Sequence, residues 1–218
     1  FPESHAASFA FLVYASAWLK YHHPGIFACA LLNSQPMGFY APAQIIDDAK
    51  KHGVKVQPVD INNSFWDNIM EKNATGGLDL RLGFRQIRSI NKTDSEIITK
   101  LRGNGYQTIE DVSRRGGIKP HILHILANAD AFASLKIVRR QAIWQAKAIK
   151  NKRLLPLFSK HWGNELLNEP SVKLPEMTLG QNVVEDYFAL KLSLRIHPVA
   201  LLRHKLTPGY PAIKGAPI

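Results

Sequence analysis

Two stretches decide the fold class: Asp94-Ser95-Glu96-Ile97-Ile98-Thr99-Lys100-Leu101-Arg102 and Pro120-His121-Ile122-Leu123-His124-Ile125-Leu126-Ala127-Asn128-Ala129. Ile97, Ile98 and Leu101 in the first, and Ile122, Leu123, Ile125 and Leu126 in the second, recur at helical spacing and give each helix one apolar face. Around them the chain reads as short helices with short connections, over 84–88, 94–102, 109–115, 120–129 and 136–152. Upstream, residues 6–23 predict a helix that is apolar nearly all round, a pattern that calls for burial on most sides. Pro24 ends it and suits the first turn of a second helix through about Leu32. Pro42 opens a third helix through His52, with Gly53 as its C-terminal cap. Between these helical parts, 54–56 and 59–61 look extended and are broken by Pro58. Residues 78–82 alternate apolar and polar behind the turn-prone Asn73-Ala74-Thr75-Gly76-Gly77. The reading is mainly α, with a small β hairpin or sheet at the joint. Residues 153–180, rich in Pro, Asn and Gly, read as a loose connector. A last helix follows over 183–194, and the end from Thr207 lacks a packing pattern.

The chain has 218 residues, 45% hydrophobic and 21% charged, which is the composition of an ordinary globular protein. Its 28 Lys and Arg against 17 Asp and Glu leave a formal charge of +11, with a sequence pI near 9.8. That excess speaks of partners rather than fold, with nucleic acid first and an anionic membrane surface second. The single cysteine, Cys29, cannot form an internal disulfide and points to a reducing cytoplasm. The start lacks the basic region of a signal peptide, and the apolar run 6–19 is short for a membrane span. A start at Phe1 with a helix almost at once suggests a truncated beginning.

The familiar catalytic patterns are missing from the sequence. His22 and His23 are neighbours and point apart on a helix, while His121 and His124 share a face without the further ligands that zinc needs. Ser4-His5 has no nucleophile elbow, and Gly103-Asn104-Gly105 lacks the lysine of a phosphate-binding loop. Asp47 and Asp48 read as solvated charges. The cations are more telling. Arg81, Arg85, Arg88, Lys92, Lys100 and Arg102 cluster along the chain, followed by Arg114, Arg115 and Lys119, and then by the group from Lys136 to Arg153. Paired short helices whose hairpins expose backbone N–H groups beside Lys or Arg suit the phosphates of a duplex. Each cluster also has the plainer reading of a solvated helix face.

The runs Phe1-Pro2-Glu3-Ser4-His5-Ala6-Ala7-Ser8-Phe9-Ala10 and Tyr14-Ala15-Ser16-Ala17-Trp18-Leu19-Lys20 carry a resemblance to a known family. Ala30-Leu31-Leu32-Asn33-Ser34-Gln35-Pro36-Met37-Gly38-Phe39-Tyr40 extends it. These residues resemble bacterial C-family DNA polymerases of the polymerase III alpha type, and within them the error-prone, translesion alpha-like branch. The likeness continues to Ala129-Asp130-Ala131-Phe132 and resurfaces at Glu185-Asp186-Tyr187 and His197-Pro198-Val199-Ala200-Leu201-Leu202-Arg203.

The resemblance implies a layout. Residues 1–60 would be the end of the polymerase fingers, 61–82 the β joint, 83–152 a tandem helix-hairpin-helix domain, 153–182 the connector, and 183–218 a terminal helix and frayed tail leading toward an OB-fold. It implies nucleotide- and template-side contacts by Ser4, His5 and Lys20. It further implies duplex DNA binding by Arg85, Arg88, Ser89, Asn91, Lys92, Gly117 and Lys119. Chemistry in the family is two-metal phosphoryl transfer by palm aspartates, so Mg2+ is implied for a palm upstream, and no catalytic or metal residue is assigned within this chain. The implied partners are duplex DNA without sequence preference, a deoxynucleoside triphosphate, a sliding clamp and mutasome accessory proteins, with no membrane. The implied role is DNA damage-induced translesion synthesis. At the first hairpin the family's Gly-hydrophobic-Gly is replaced by Ser89-Ile90-Asn91, where Asn is the residue expected to accept a left-handed backbone. The alternative from another class is a non-enzymatic helix-hairpin-helix adaptor for nucleic acid.

Overall fold

Proline and glycine set most of the element boundaries. A computed structural model describes residues 2–149 and 174–203. Helix α1 (Glu3–His22) stops where His23 leaves helical geometry, and Pro24 starts α2 (Pro24–Asn33) at once. Pro42 likewise opens α3 (Pro42–Lys51), where the Gln44 side chain accepts the Ala41 N–H at 3.1 Å and satisfies an otherwise orphaned donor. Gly53 follows with φ +80°, a conformation that only glycine takes without strain.

A three-stranded sheet comes next, in the order β1 (Val56–Gln57), β3 (Leu78–Arg81), β2 (Ile69–Lys72). β1 runs parallel to β3, and β2 pairs antiparallel with it. Asn73 builds the β2–β3 turn, its Oδ1 accepting the N–H groups of Thr75 and Gly77. The sequence signals locate β3 and the turn but miss β2, because Ile69-Met70-Glu71-Lys72 does not alternate. Pro58 ends β1, and Val59 and Ile61 are buried as irregular chain, with the Ile61 N–H donating to the Ala131 carbonyl. Gly83 is required by close approach, since a Cβ there would lie 2.4 Å from the Trp66 carbonyl oxygen.

The second half is helical, with α4 (Lys92–Leu101), α5 (Ile109–Gly116), α6 (Pro120–Asn128), α7 (Arg139–Ala148), α8 (Leu179–Leu190) and α9 (Pro198–Leu202). Short 3₁₀ turns at Phe84–Gln86 and Ala133–Leu135 precede α4 and α7. The expected helix over 136–152 begins only at Arg139, because Lys136 takes a left-handed backbone. The expected helix over 183–194 stops at Lys191 for the same reason. Residues 150–152 and most of the expected connector and tail lie outside the described residues.

One apolar cluster runs from α2 and α3 through β3 into α4, α5, α6, α7 and α8, with Leu32, Leu80, Phe84, Ile98, Leu123, Phe132 and Leu192 among its members. Helix α1 stands apart from it. Its expected burial does not occur, because no α1 residue is buried and Phe11, Val13, Tyr14 and Tyr21 are largely exposed. Its contacts are with α2, together with an ion pair at 2.9 Å from Lys20 to Asp48 of α3.

Candidate nucleic-acid interface

The hairpin ahead of α4 is built from Arg88 to Lys92. Ile87 and Ile90 are buried anchors on either side of Arg88 and Ser89, which are exposed. Ser89 takes φ +65°, while Asn91 is extended (φ −103°, ψ 162°) and caps α4 by accepting the Asp94 N–H at 2.7 Å. The residue expected to carry the left-handed turn was Asn91. It is Ser89 that does so, and Asn91 serves as the N-cap, a task its short carboxamide suits.

The hairpin between α5 and α6 repeats this backbone. Gly117 takes φ +58°, Ile118 is buried, and Lys119 is extended (φ −65°, ψ 146°) as the N-cap of α6. Among the described residues, the amides of Asn91 and Lys92 in one hairpin, and of Lys119 and His121 in the other, make no hydrogen bond to protein. Each loop therefore presents main-chain donors at a helix N-terminus, where the helix dipole also favours an anion. A third turn has the same shape and escaped the sequence reading. Lys136 takes φ +58°, Ile137 packs against the core, and Val138 is extended (φ −70°, ψ 150°) ahead of α7. The signal that reveals such a turn is glycine, and here lysine stands in its place.

The cations divide into two sets. Arg88 and Lys119 are exposed and make no ion pair with the described residues, although Arg88 lies 6.0 Å over the Phe188 ring. Lys92 is exposed, with Glu96 3.8 Å away on the next turn. These three flank the two loops. Arg85 does not join them. Its Nη1 donates to the Asn33 carbonyl at 2.6 Å and to Asp67 at 2.7 Å, and its Nη2 donates to the Gln35 carbonyl at 3.0 Å. It ties the end of α2 to the chain before β2, so the donors expected to meet a phosphate are engaged within the protein. Arg81 is spent in the same way on Glu71, and Arg115 on Asp111 and two carbonyls. The Arg115 hydrogen bonds hold the Asp111 carboxyl below the usual range.

The α8 segment is fastened to this half of the molecule. Arg139 and Asp186 form a buried ion pair, and Arg195 bridges Asp130 at 2.6 Å and Asp186 at 3.5 Å. The C-terminal end of α8 reaches the first hairpin, where the Ala189 carbonyl accepts the Arg88 N–H at 2.8 Å.

The nucleotide-side residues are not gathered. Ser4 and His5 lie in the first turn of α1 and Lys20 in its last, about 24 Å along the helix axis. The ring of His5 packs 4.3 Å from that of Phe9. Among the described residues, no three His, Cys, Asp or Glu side chains come together as a metal site, and no helix is long and apolar enough to cross a membrane.

A family model described as a helix-hairpin-helix motif matches residues 53–142, a span that contains both hairpins. Along nearly its whole length the chain is homologous to a segment of proteins named error-prone DNA polymerase. It is 54% identical to that of Ruegeria pomeroyi over 99% of the chain, and 55% identical to that of Brucella abortus over 94%. With the error-prone DNA polymerase 1 of Rhizobium meliloti the identity is 46% over 93%. The chain spans 19–20% of the length of these relatives.

Proposed function

We propose that this chain serves an error-prone DNA-directed DNA polymerase in damage-induced translesion synthesis, where it joins the fingers to the grip on duplex DNA. The observation that carries the reading is the repeated loop: Ser89-Ile90-Asn91 and Gly117-Ile118-Lys119 share a left-handed residue, a buried Ile and an extended N-cap beside exposed cations. Two such loops offer a phosphate backbone unpaired amides, helix dipoles, Arg88, Lys92 and Lys119, and none of these groups reads bases. The exposed apolar girth of α1 supports a place inside a longer protein, because patches of this size mark surfaces that pack against other protein. In this reading Ser4 and His5 face the incoming deoxynucleoside triphosphate. Mg2+ is assigned in this reading to palm carboxylates of the longer protein. A sliding clamp and mutasome accessory proteins complete the proposed partners.

The test is a fluorescence-anisotropy titration of the chain against duplex DNA of unrelated sequences. Binding should be indifferent to sequence. The logarithm of affinity should fall linearly with that of salt, by roughly 0.9 per neutralised phosphate. Absence of binding at low salt would remove the grip, and strong sequence preference would contradict backbone recognition.

A further inference from the structure

Arg102 is a buried cation with little to hold it. It follows α4 and is only 9% exposed. Its Nη2 donates to the Ser64 carbonyl and its guanidinium lies 5.3 Å over the Phe65 ring, while its Nε is buried without a partner. No carboxylate among the described residues comes within ion-pair distance of it. The other buried guanidinium, that of Arg139, has Asp186. Of the two acids whose charge acts on Arg102, Tyr106 first and then Asp60, the Tyr106 hydroxyl donates to the Ile98 carbonyl and the Asp60 carboxylate is already engaged. Its Oδ1 accepts from Asn62 N and Asn63 Nδ2, and its Oδ2 from Ser134 N. Burying an ion without a counter-charge is costly, so an anion brought to Arg102 would relieve that cost.

Arg102 lines an open cleft of about 650 Å³, formed by the α4–α5 connection, by Asn62 and Asn63, and by the turn before α7. The other walls are polar. Lys136, exposed and without an ion pair among the described residues, projects from the third left-handed turn, and Asn104 sits exposed between Gly103 and Gly105. The Asn62 carboxamide is spent on the Tyr106 carbonyl and Ser134 Oγ, and that of Asn63 donates to Asp60. This leaves Asn104 beside the cations Arg102 and Lys136 around one concavity, a set that suits the oxygens of a phosphate.

We propose that this cleft binds a phosphate-bearing anion, with Arg102 and Lys136 as its cations. The inference stands apart from the two hairpins that grip DNA and does not depend on them. The anion has two natural sources, a phosphodiester of a nucleic-acid strand or a free phosphate compound.

The experiment uses the full chain and inorganic phosphate as the probe. The thermal unfolding midpoint is followed against phosphate concentration, with chloride matched for ionic strength. The expected result is a midpoint that climbs with the logarithm of phosphate beyond the chloride control, as for any ligand bound only by the folded state. Lys136→Asn keeps a residue that tolerates the left-handed turn, and Asn104→Asp adds a charge at an exposed position. Each should weaken the apparent phosphate affinity at least roughly threefold, a small fraction of what a charge-assisted contact supplies. Ser16→Asp on α1 changes net charge equally and should leave the affinity unaltered. A second arm measures DNA affinity of the same variants. A loss in step with phosphate assigns the cleft to a nucleic-acid strand, and unchanged DNA affinity assigns it to a free phosphate compound. A phosphate response equal to that of chloride, or one equal in Lys136→Asn, Asn104→Asp and Ser16→Asp, would overturn the proposal.

Discussion

Ser89 and Gly117 occupy equivalent points of two hairpins and hold nearly the same backbone, at φ +65° and +58°. A left-handed conformation costs a residue with a Cβ about 1–2 kcal/mol. At Gly117 an added Cβ would meet nothing within 4 Å, so the cost of a side chain there is conformational rather than steric. Ser89→Gly should therefore stabilise the protein by about 0.5–1 kcal/mol, and Gly117→Ser should destabilise it by about 1 kcal/mol. Urea unfolding midpoints read both, and a destabilised Ser89→Gly or an unaffected Gly117→Ser would show that the two turns are not equivalent.

Charge at the two loops should show in salt dependence rather than in fold. Lys119→Ala and Lys92→Ala are each expected to weaken duplex binding on all sequences and to lower the salt slope by about one. Arg85→Ala should lower thermal stability, because three acceptors lose their donors, and leave the salt slope alone. A lowered slope for Arg85→Ala would return that residue to the DNA surface.

The buried pair of Arg139 and Asp186 joins segments 47 residues apart. Asp186→Ala leaves the Arg139 guanidinium buried, with the Asn182 carbonyl at 2.7 Å and, as its remaining charged partner, Asp130 at 3.8 Å. The expected loss is about 3 kcal/mol, the lower end for breaking a buried pair. Hydrogen exchange should speed up in α8 before the sheet; uniform acceleration would mean that α8 does not open as a unit.

Acid should weaken the fold through Asp79 and Asp111. Hydrogen bonds from Asn73 and Gln57 hold the Asp79 carboxyl below the ordinary carboxylate range, and Arg115 does so for Asp111. A carboxylate with a depressed native pKa contributes stability that is present above its unfolded value, about 3.9, and is lost as pH falls through the native one. Asp130 works in the opposite sense, since burial raises its pKa and makes its contribution larger in acid. The net expectation is declining stability below about pH 4, with a shallower decline in Asp79→Asn. Parallel curves for the wild type and Asp79→Asn would show that Asp79 is not a source of the acid sensitivity.

Much of the architecture was legible because its signals are local. Pro24, Pro42 and Pro120 each mark a helix start, Asn73 through Gly77 marks the turn before β3, and the periodic Ile and Leu of α4 and α6 mark their buried faces. The strand β2 and the left-handed turns at Ser89 and Lys136 were hidden, since pairing with β3 and packing of the neighbouring Ile impose them against local preference.

The amino-acid sequence by itself determined the helical class, the surplus of positive charge and the kinship with error-prone polymerases, each of which depends on residue identity in order. Only the tertiary structure decided which cations are spent. Arg81, Arg85, Arg115 and Arg139 are turned to internal acceptors, while Arg88 and Lys119 remain exposed. The reason is electrostatic: a guanidinium's role is set by the carboxylates and carbonyls that folding brings within about 3 Å, and for Arg85 and Arg139 those lie 52 and 47 residues away along the chain.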